Sequence, residues 1–128
     1  MSRLVRAARD VAHWDDTADV VVVGLGAAGA SAALEASASG ADVLVLERAA
    51  AGGGTSAMSG GVLYLGGGTA LQTACGFEDS AEEMAKYLRA SVGDAPDLAK
   101  IDLYCEHSAL HYDWLVAQGV PFKPVFYY

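Results

Sequence analysis

The sequence predicts an α/β fold built on a parallel strand–helix–strand unit, and three observations predict it. Residues 19–23 read Asp-Val-Val-Val-Val. A β-branched run without alternation suits a strand buried on both faces of a parallel sheet. Residues 27–39 are mostly alanine, with Leu34 and Glu35 among them, and Gly40 follows. A glycine just past the last helical residue ends a helix. Residues 41–46 read Ala-Asp-Val-Leu-Val-Leu, a second apolar run, and Glu47 stands at its end. Strand, helix and strand in this length make one βαβ unit, right-handed by default.

The first fourteen residues carry Arg3, Arg6 and Arg9 but no apolar stretch of the kind a secretion signal needs. Residues 1–18 are therefore expected to be a solvated leader, with the three arginines along one side of a short helix. No segment is long and apolar enough to span a bilayer, so no stable membrane anchor is expected and the protein is placed in the cytoplasm. The formal net charge of -8 disfavours nucleic acid, because a nucleic-acid partner demands clustered lysine and arginine. Cys75 and Cys105 form no C-x-x-C pair and no zinc spacing, and read as reduced thiols.

Beyond Glu47 the character changes. Glycine stands at 52, 53, 54, 60, 61, 66, 67 and 68, interrupted by a strand-like run, Val62 to Leu65. Ser80-Ala81-Glu82-Glu83 predicts a capping box, with Ser80 as cap and Glu83 reaching back. Met84, Tyr87, Leu88 and Val92 then give an apolar stripe, broken at Gly93 to Pro96. Pro96 suits a first helical turn. Leu98, Ile101, Leu103, Cys105, Leu110, Trp114 and Leu115 carry a longer helix to Gly119, followed by an extended stretch through Pro124. The ending, Val125-Phe126-Tyr127-Tyr128, reads as a strand entering something further along a longer polypeptide. The expected organisation is thus a leader over 1–18 and, over 19–128, the N-terminal part of a larger domain.

Gly24, Gly26 and Gly29 form G-x-G-x-x-G at the junction of first strand and helix, with Leu25, Ala27 and Ala28 between them. The first glycine allows a tight turn, the second lets a pyrophosphate approach the backbone, and the third lets helix and strand pack closely. The helix N-terminus offers free N–H groups and positive dipole to the phosphates. Glu47, 23 residues after Gly24, is placed to accept from the hydroxyls of an adenosine ribose and to repel a 2'-phosphate. Arg48 beside it blunts that repulsion. The unit is Rossmann-like and alone does not choose between FAD and NAD. The segment Gly53-Gly54-Thr55-Ser56-Ala57-Met58-Ser59-Gly60-Gly61 does choose, because its glycines can turn N–H groups toward phosphate and ribityl oxygens. Thr55, Ser56 and Ser59 add hydroxyls, although each also suits ordinary turn capping. The expected cofactor is FAD, held by Gly24 to Gly29, Glu47, Arg48, Gly53 to Ser56 and Ser59 to Gly61.

These residues resemble the FAD-binding beginning of the succinate dehydrogenase/fumarate reductase flavoprotein superfamily, over residues 19 to about 123. Within it the chain is most similar to the 3-ketosteroid dehydrogenases of the 3-oxo-5α-steroid 4-dehydrogenase type. That likeness is carried by Ser59 through Thr69, by Gln72, by Gly76-Phe77-Glu78-Asp79-Ser80, and by Met84, Tyr87 and Leu88. The resemblance implies a GR2-type FAD domain whose C-terminal helices lead toward a substrate or cap domain. It implies desaturation of a carbon–carbon bond next to a ketone, with a 3-ketosteroid as small-molecule substrate and steroid breakdown as the setting. Covalent members attach flavin through a histidine in the second glycine segment. Residues 52–61 contain none, so non-covalent FAD is expected. The family's proton-moving tyrosines lie beyond this length, so no catalytic residue is assigned, and the chain alone is expected to be marginally stable and without turnover. Two rivals stay open: a dicarboxylate oxidoreductase of the same superfamily, and an inert fragment or simple nucleotide-binding module.

Four further features are read as structural. His107 and His111 sit four apart on one helix face, with no third metal ligand in view. Glu82, Glu83, Asp94, Asp97 and Asp102 form a solubilising acidic face. Tyr64 is expected to be a packed strand residue. Tyr104 and Trp114 are expected in a core or domain contact.

Overall fold

A computed structural model describes residues 7–125. The described residues fall into two compact units that part between Val62 and Leu63.

In the first unit, β1 (Val20–Val23) and β2 (Val43–Leu46) pair in parallel around α1 (Ala27–Ala38). The register sets Val20 against Val43 and Val23 against Leu46. The ladder is extended at both ends. Gly24 N–H donates to the Leu46 carbonyl at 2.7 Å. At the other end the Asp19 carboxylate accepts from Asp42 N–H at 2.9 Å. The predicted βαβ unit is therefore present, with one correction. Val20 and Val22 are half-buried, whereas Val21 and Val23 are 51% and 82% exposed. The helix covers one face of β1, and the other meets solvent, so an unalternating valine run does not here mark burial on both sides. Of the leader, Arg9 lies in a short 3-10 turn, Ala8–Asp10. Arg3 and Arg6 fall outside the described residues.

The second unit holds α2 (Ala70–Ala74), α3 (Ala81–Ser91) and α4 (Leu98–Ala117). Its core is the α3–α4 interface: Met84, Ala85, Ile101 and Cys105, with Ala81 and Leu88 packed against them. Burial pushes the Cys105 thiol up, with help from the Asp102 charge. On α4 the buried residues are Ile101, Cys105, Ser108 and Tyr112. Those positions recur at steps of four and three, the stripe one helix presents to another. Leu98, Leu103 and Leu110 point outward, at 51%, 59% and 64% exposed. Tyr87 on α3 and Val92, the residue that caps its C-terminus, are likewise exposed.

Several local expectations are corrected. Ser80 does cap α3, accepting from Glu83 N–H at 3.2 Å. The reciprocal half of the box is missing, because the Asp79 carboxylate takes Ser80 N–H and Glu83 pairs with Lys86. A complete capping box stands instead at Thr69 and Gln72, where it starts the unforeseen α2. Pro96 precedes the cap of α4 rather than opening its first turn, since Asp97 accepts from Lys100 N–H. Residues 62–65 form no strand. Tyr64 is 54% exposed rather than packed, and its carbonyl accepts from the Tyr104 hydroxyl. Trp114 is half-buried and stacks on His111, at 5.8 Å between ring centroids. Among the described residues no cluster of three metal-ligating side chains includes the two histidines, and no helix is long and apolar enough to cross a membrane. Residues 126–128 lie outside the described residues.

What holds the 64–68 stretch is side-chain chemistry in place of a ladder. Ser108, 2% exposed, accepts from Gly66 N–H at 3.0 Å. Asp79 accepts from Gly67 N–H at 2.8 Å and from the Gln72 amide at 2.7 Å. Burial works against the Asp79 charge, but Gln72, Gly67 and Ser80 as donors outweigh it and hold the carboxyl below its ordinary range. Ser108→Ala is expected to strand the Gly66 N–H in a buried site and to cost about 1–3 kcal/mol. A thermal melt reads that as a lowered midpoint, and an unchanged midpoint would show that the bond contributes nothing.

Candidate functional site

The first turn of α1 leaves its N–H groups uncapped by any side chain. Its cap is Gly26, which brings no side chain, and the first turn holds no acid. The opening N–H groups of a helix have no acceptor within it. By contrast α2, α3 and α4 are each capped by a side chain: Thr69, Ser80 and Asp97. Gly24 turns with φ +97°. At Gly29 a Cβ would lie 1.9 Å from the Gly24 carbonyl oxygen. Only a glycine permits that approach, so first and third glycines of the motif have the roles their spacing assigned.

The second glycine segment docks on the first. Gly53 N–H donates to the Leu25 carbonyl at 2.6 Å. A Cβ on Gly52 would stand 2.5 Å from the Leu25 side chain, and one on Gly54 would stand 3.5 Å from the Gly26 Cα. Gly53 has φ +117°, a conformation closed to other residues without strain. From Gly54 to Met58 the chain makes a 3-10 turn. Between the two segments lies a cleft of about 310 Å³, lined by Leu25, Gly26, Ala27, Ala30, Gly52, Gly53, Ser56 and Ala57.

The predicted site residues divide accordingly. Leu25, Gly26, Ala27, Gly53 and Ser56 line the cleft. Gly24 and Gly29 shape the turn, and Gly54 abuts Gly26. Ala28 lies in the first turn of α1, and Thr55 in the 3-10 turn. Ser59 is spent on local structure. Its hydroxyl donates to the Ser56 carbonyl at 2.8 Å and accepts from Gly61 N–H at 3.2 Å. Gly60 and Gly61 are exposed, with open space where a Cβ would go. The Arg48 side chain is exposed. Gly52 and Ala30 line the cleft and were not predicted. Gly52 was legible, as one more glycine in the run, while Ala30 looks like any helix alanine.

Glu47 departs from the simplest expectation. Its Oε2 accepts from Leu25 N–H at 2.7 Å and its Oε1 from Ala49 N–H at 2.8 Å. These N–H groups, Ala49 first and Leu25 second, outweigh desolvation and hold the carboxyl below the usual glutamate range. A carboxylate has about four lone-pair sites, so acceptor capacity remains for a ribose hydroxyl.

The sequence pattern of the FAD binding domain matches residues 19–126. The chain belongs to that family. It is 43% identical over 115 residues to 3-oxo-5-alpha-steroid 4-dehydrogenase of Comamonas testosteroni, which is 88% of this chain and 21% of that relative. Fumarate reductase (cytochrome) of Shewanella frigidimarina is more distant, at 36% over 110 residues, covering 86% of this chain and 19% of the relative. A crystal structure of 3-ketosteroid-delta4-(5alpha)-dehydrogenase from Rhodococcus jostii RHA1, in complex with 4-androstene-3,17-dione, superposes with TM-score 0.83 at 55% identity. It covers 93% of this chain and 25% of that one. The chain thus spans between a fifth and a quarter of the length of these two steroid dehydrogenases. The cofactor of this FAD binding domain is FAD. The residues present suit it: a cradle of backbone N–H groups, glycines where a Cβ would block approach, and an acid after β2.

Proposed function

We propose that this chain binds the ADP half of FAD on Gly24 to Gly29, beside the turn of Gly53, Gly54, Thr55 and Ser56. In this reading it is the N-terminal part of a flavin-dependent dehydrogenase that desaturates a 3-ketosteroid next to its ketone. The observation that carries the reading is the docking of the 52–54 glycines on the Gly24–Gly26 turn. It leaves a cleft lined by glycines and small apolar side chains at a helix start that no side chain caps.

The chemistry FAD supplies when bound is acceptance of a hydride equivalent. The chain's own residues bind and orient. The N–H groups of Ala27, Ala28 and Gly29 face an anion with the positive end of α1 behind them. Ser56 lines the same cleft. Glu47 keeps acceptor capacity for a ribose hydroxyl and disfavours a 2'-phosphate by charge. Ser59, Gly60, Gly61 and Arg48 belong to the same proposed set, Ser59 through the fold of the turn. The absence of histidine from residues 52–61 supports non-covalent attachment. The higher identity to steroid dehydrogenases than to the fumarate reductase favours the steroid reading over the dicarboxylate one.

The test is a visible absorption spectrum of the chain and of the longest polypeptide its gene encodes, each loaded with FAD and gel-filtered. Flavin bands should be retained by the longer polypeptide and released into the supernatant by acid precipitation. That polypeptide should then reduce a dye in the presence of a 3-ketosteroid. Protection against thermal unfolding by NAD and not by FAD would overturn the cofactor. Turnover with fumarate and none with a 3-ketosteroid would overturn the substrate.

A further inference from the structure

We propose that Glu47 is a positioning residue, which clips the Gly24–Gly26 turn into its ligand-ready shape before any cofactor arrives. This rests on the reading of that turn as the phosphate cradle. Leu25, the residue between the two glycines, has every group committed to the protein. Its N–H donates to Glu47 Oε2 at 2.7 Å, and its carbonyl accepts from Gly53 N–H at 2.6 Å. Its side chain lies where a Cβ on Gly52 would go.

Glu47 also accepts from Ala49 N–H at 2.8 Å, so one carboxylate ties the turn after β1 to the bend after β2. The Leu25 N–H is then spent, and the anion falls to the N–H groups of α1. Carboxylate chemistry is what the clip needs. Both oxygens accept, and each serves a different backbone donor. A glutamine presents one acceptor oxygen and one NH2, which cannot accept, so it can hold one of the two amides but not both. An aspartate is one methylene shorter.

The clip is readable without FAD, by amide hydrogen exchange on the cofactor-free chain. Leu25 lies outside helix and strand, yet its amide should exchange at least about tenfold more slowly than its intrinsic rate, as a charge-assisted bond requires. In Glu47→Gln the protection at Leu25 or at Ala49 should be lost, and FAD affinity should fall by about tenfold or more. Glu47→Asp should lose protection at Leu25. A Leu25 amide exchanging at its intrinsic rate in the unaltered chain would overturn the proposal, whatever the variants do. So would unchanged protection at both amides in Glu47→Gln alongside weakened FAD, which would leave Glu47 as a ribose contact alone. Failure of the unaltered protein to bind FAD would instead defeat the cofactor site, and the exchange rates would still decide the clip.

Discussion

Gly29→Ala is expected to destroy the proposed cofactor site. The added methyl would sit 1.9 Å from the Gly24 carbonyl oxygen and 3.0 Å from its carbon, and 3.4 Å from the Val22 side chain. The obstacle is backbone, not the far end of a flexible side chain, so α1 must move away from β1. That movement would open the turn proposed to cradle the phosphates. Overpacking of a fixed contact costs about 1–3 kcal/mol and more where backbone cannot yield. The displacement of the cradle comes on top of that cost. FAD affinity of the longest encoded polypeptide should therefore fall by at least about a hundredfold, equivalent to about 2.7 kcal/mol. An FAD titration followed by flavin fluorescence measures this, and a circular dichroism melt reports the accompanying loss of stability. Retention of affinity within a factor of about two would show that α1 does not need to lie this close to β1.

Ile101→Ala is expected to cost the most in the second unit. Ile101 is 9% exposed and belongs to a core of only a few buried residues, with Met84, Ala85 and Cys105 as its companions. Truncating a buried isoleucine removes transfer free energy and leaves a cavity, together about 2–5 kcal/mol. Two helices sharing so few buried side chains have little to refill the space. The thermal midpoint of the chain should drop by many degrees, and α3 and α4 should lose exchange protection together. Leu103→Ala on the same helix is the comparison. At 59% exposed it should move stability by no more than about 0.5 kcal/mol. Equal effects from the two would mean that α4 presents a different face to α3.

The candidate site was legible because the chemistry proposed for it lives in backbone, and backbone geometry is written in glycine spacing. Gly24, Gly26 and Gly29 announced the turn, and Gly29 proved to be a position where a side chain has no room. Gly53 and Gly54 announced a second tight-turning glycine segment. What the spacing could not tell was that this segment docks on the first through Leu25, because Leu25 carries no motif signal of its own. Glu47 was legible as an acid after β2. That both its oxygens are engaged by amides of Leu25 and Ala49 depends on how two turns meet. Ser59 read as a ligand hydroxyl and is occupied with Ser56 and Gly61, an ambiguity that turn residues carry by nature.

By itself the sequence determined the order of elements: β1, α1 and β2 from two apolar runs around an alanine stretch, then α3 and α4 from apolar residues between glycine and proline breaks. These are local matters of propensity, period and turn chemistry. The tertiary structure decided which faces and which partners. Helix α4 carries apolar residues on more than one side, so composition could not choose between Leu103 and Leu110, which stay outside, and Ser108 and Tyr112, which go in. Packing chose: Ile101 and Cys105 meet α3, the Ser108 hydroxyl takes the Gly66 amide, and Tyr112 packs on Phe122. In the same way Asp79 took the Ser80 amide and Lys86 took Glu83, which emptied a capping box whose residues were all present. Hydrogen-bonding groups have several possible partners within reach along the chain, and only the folded arrangement selects among them.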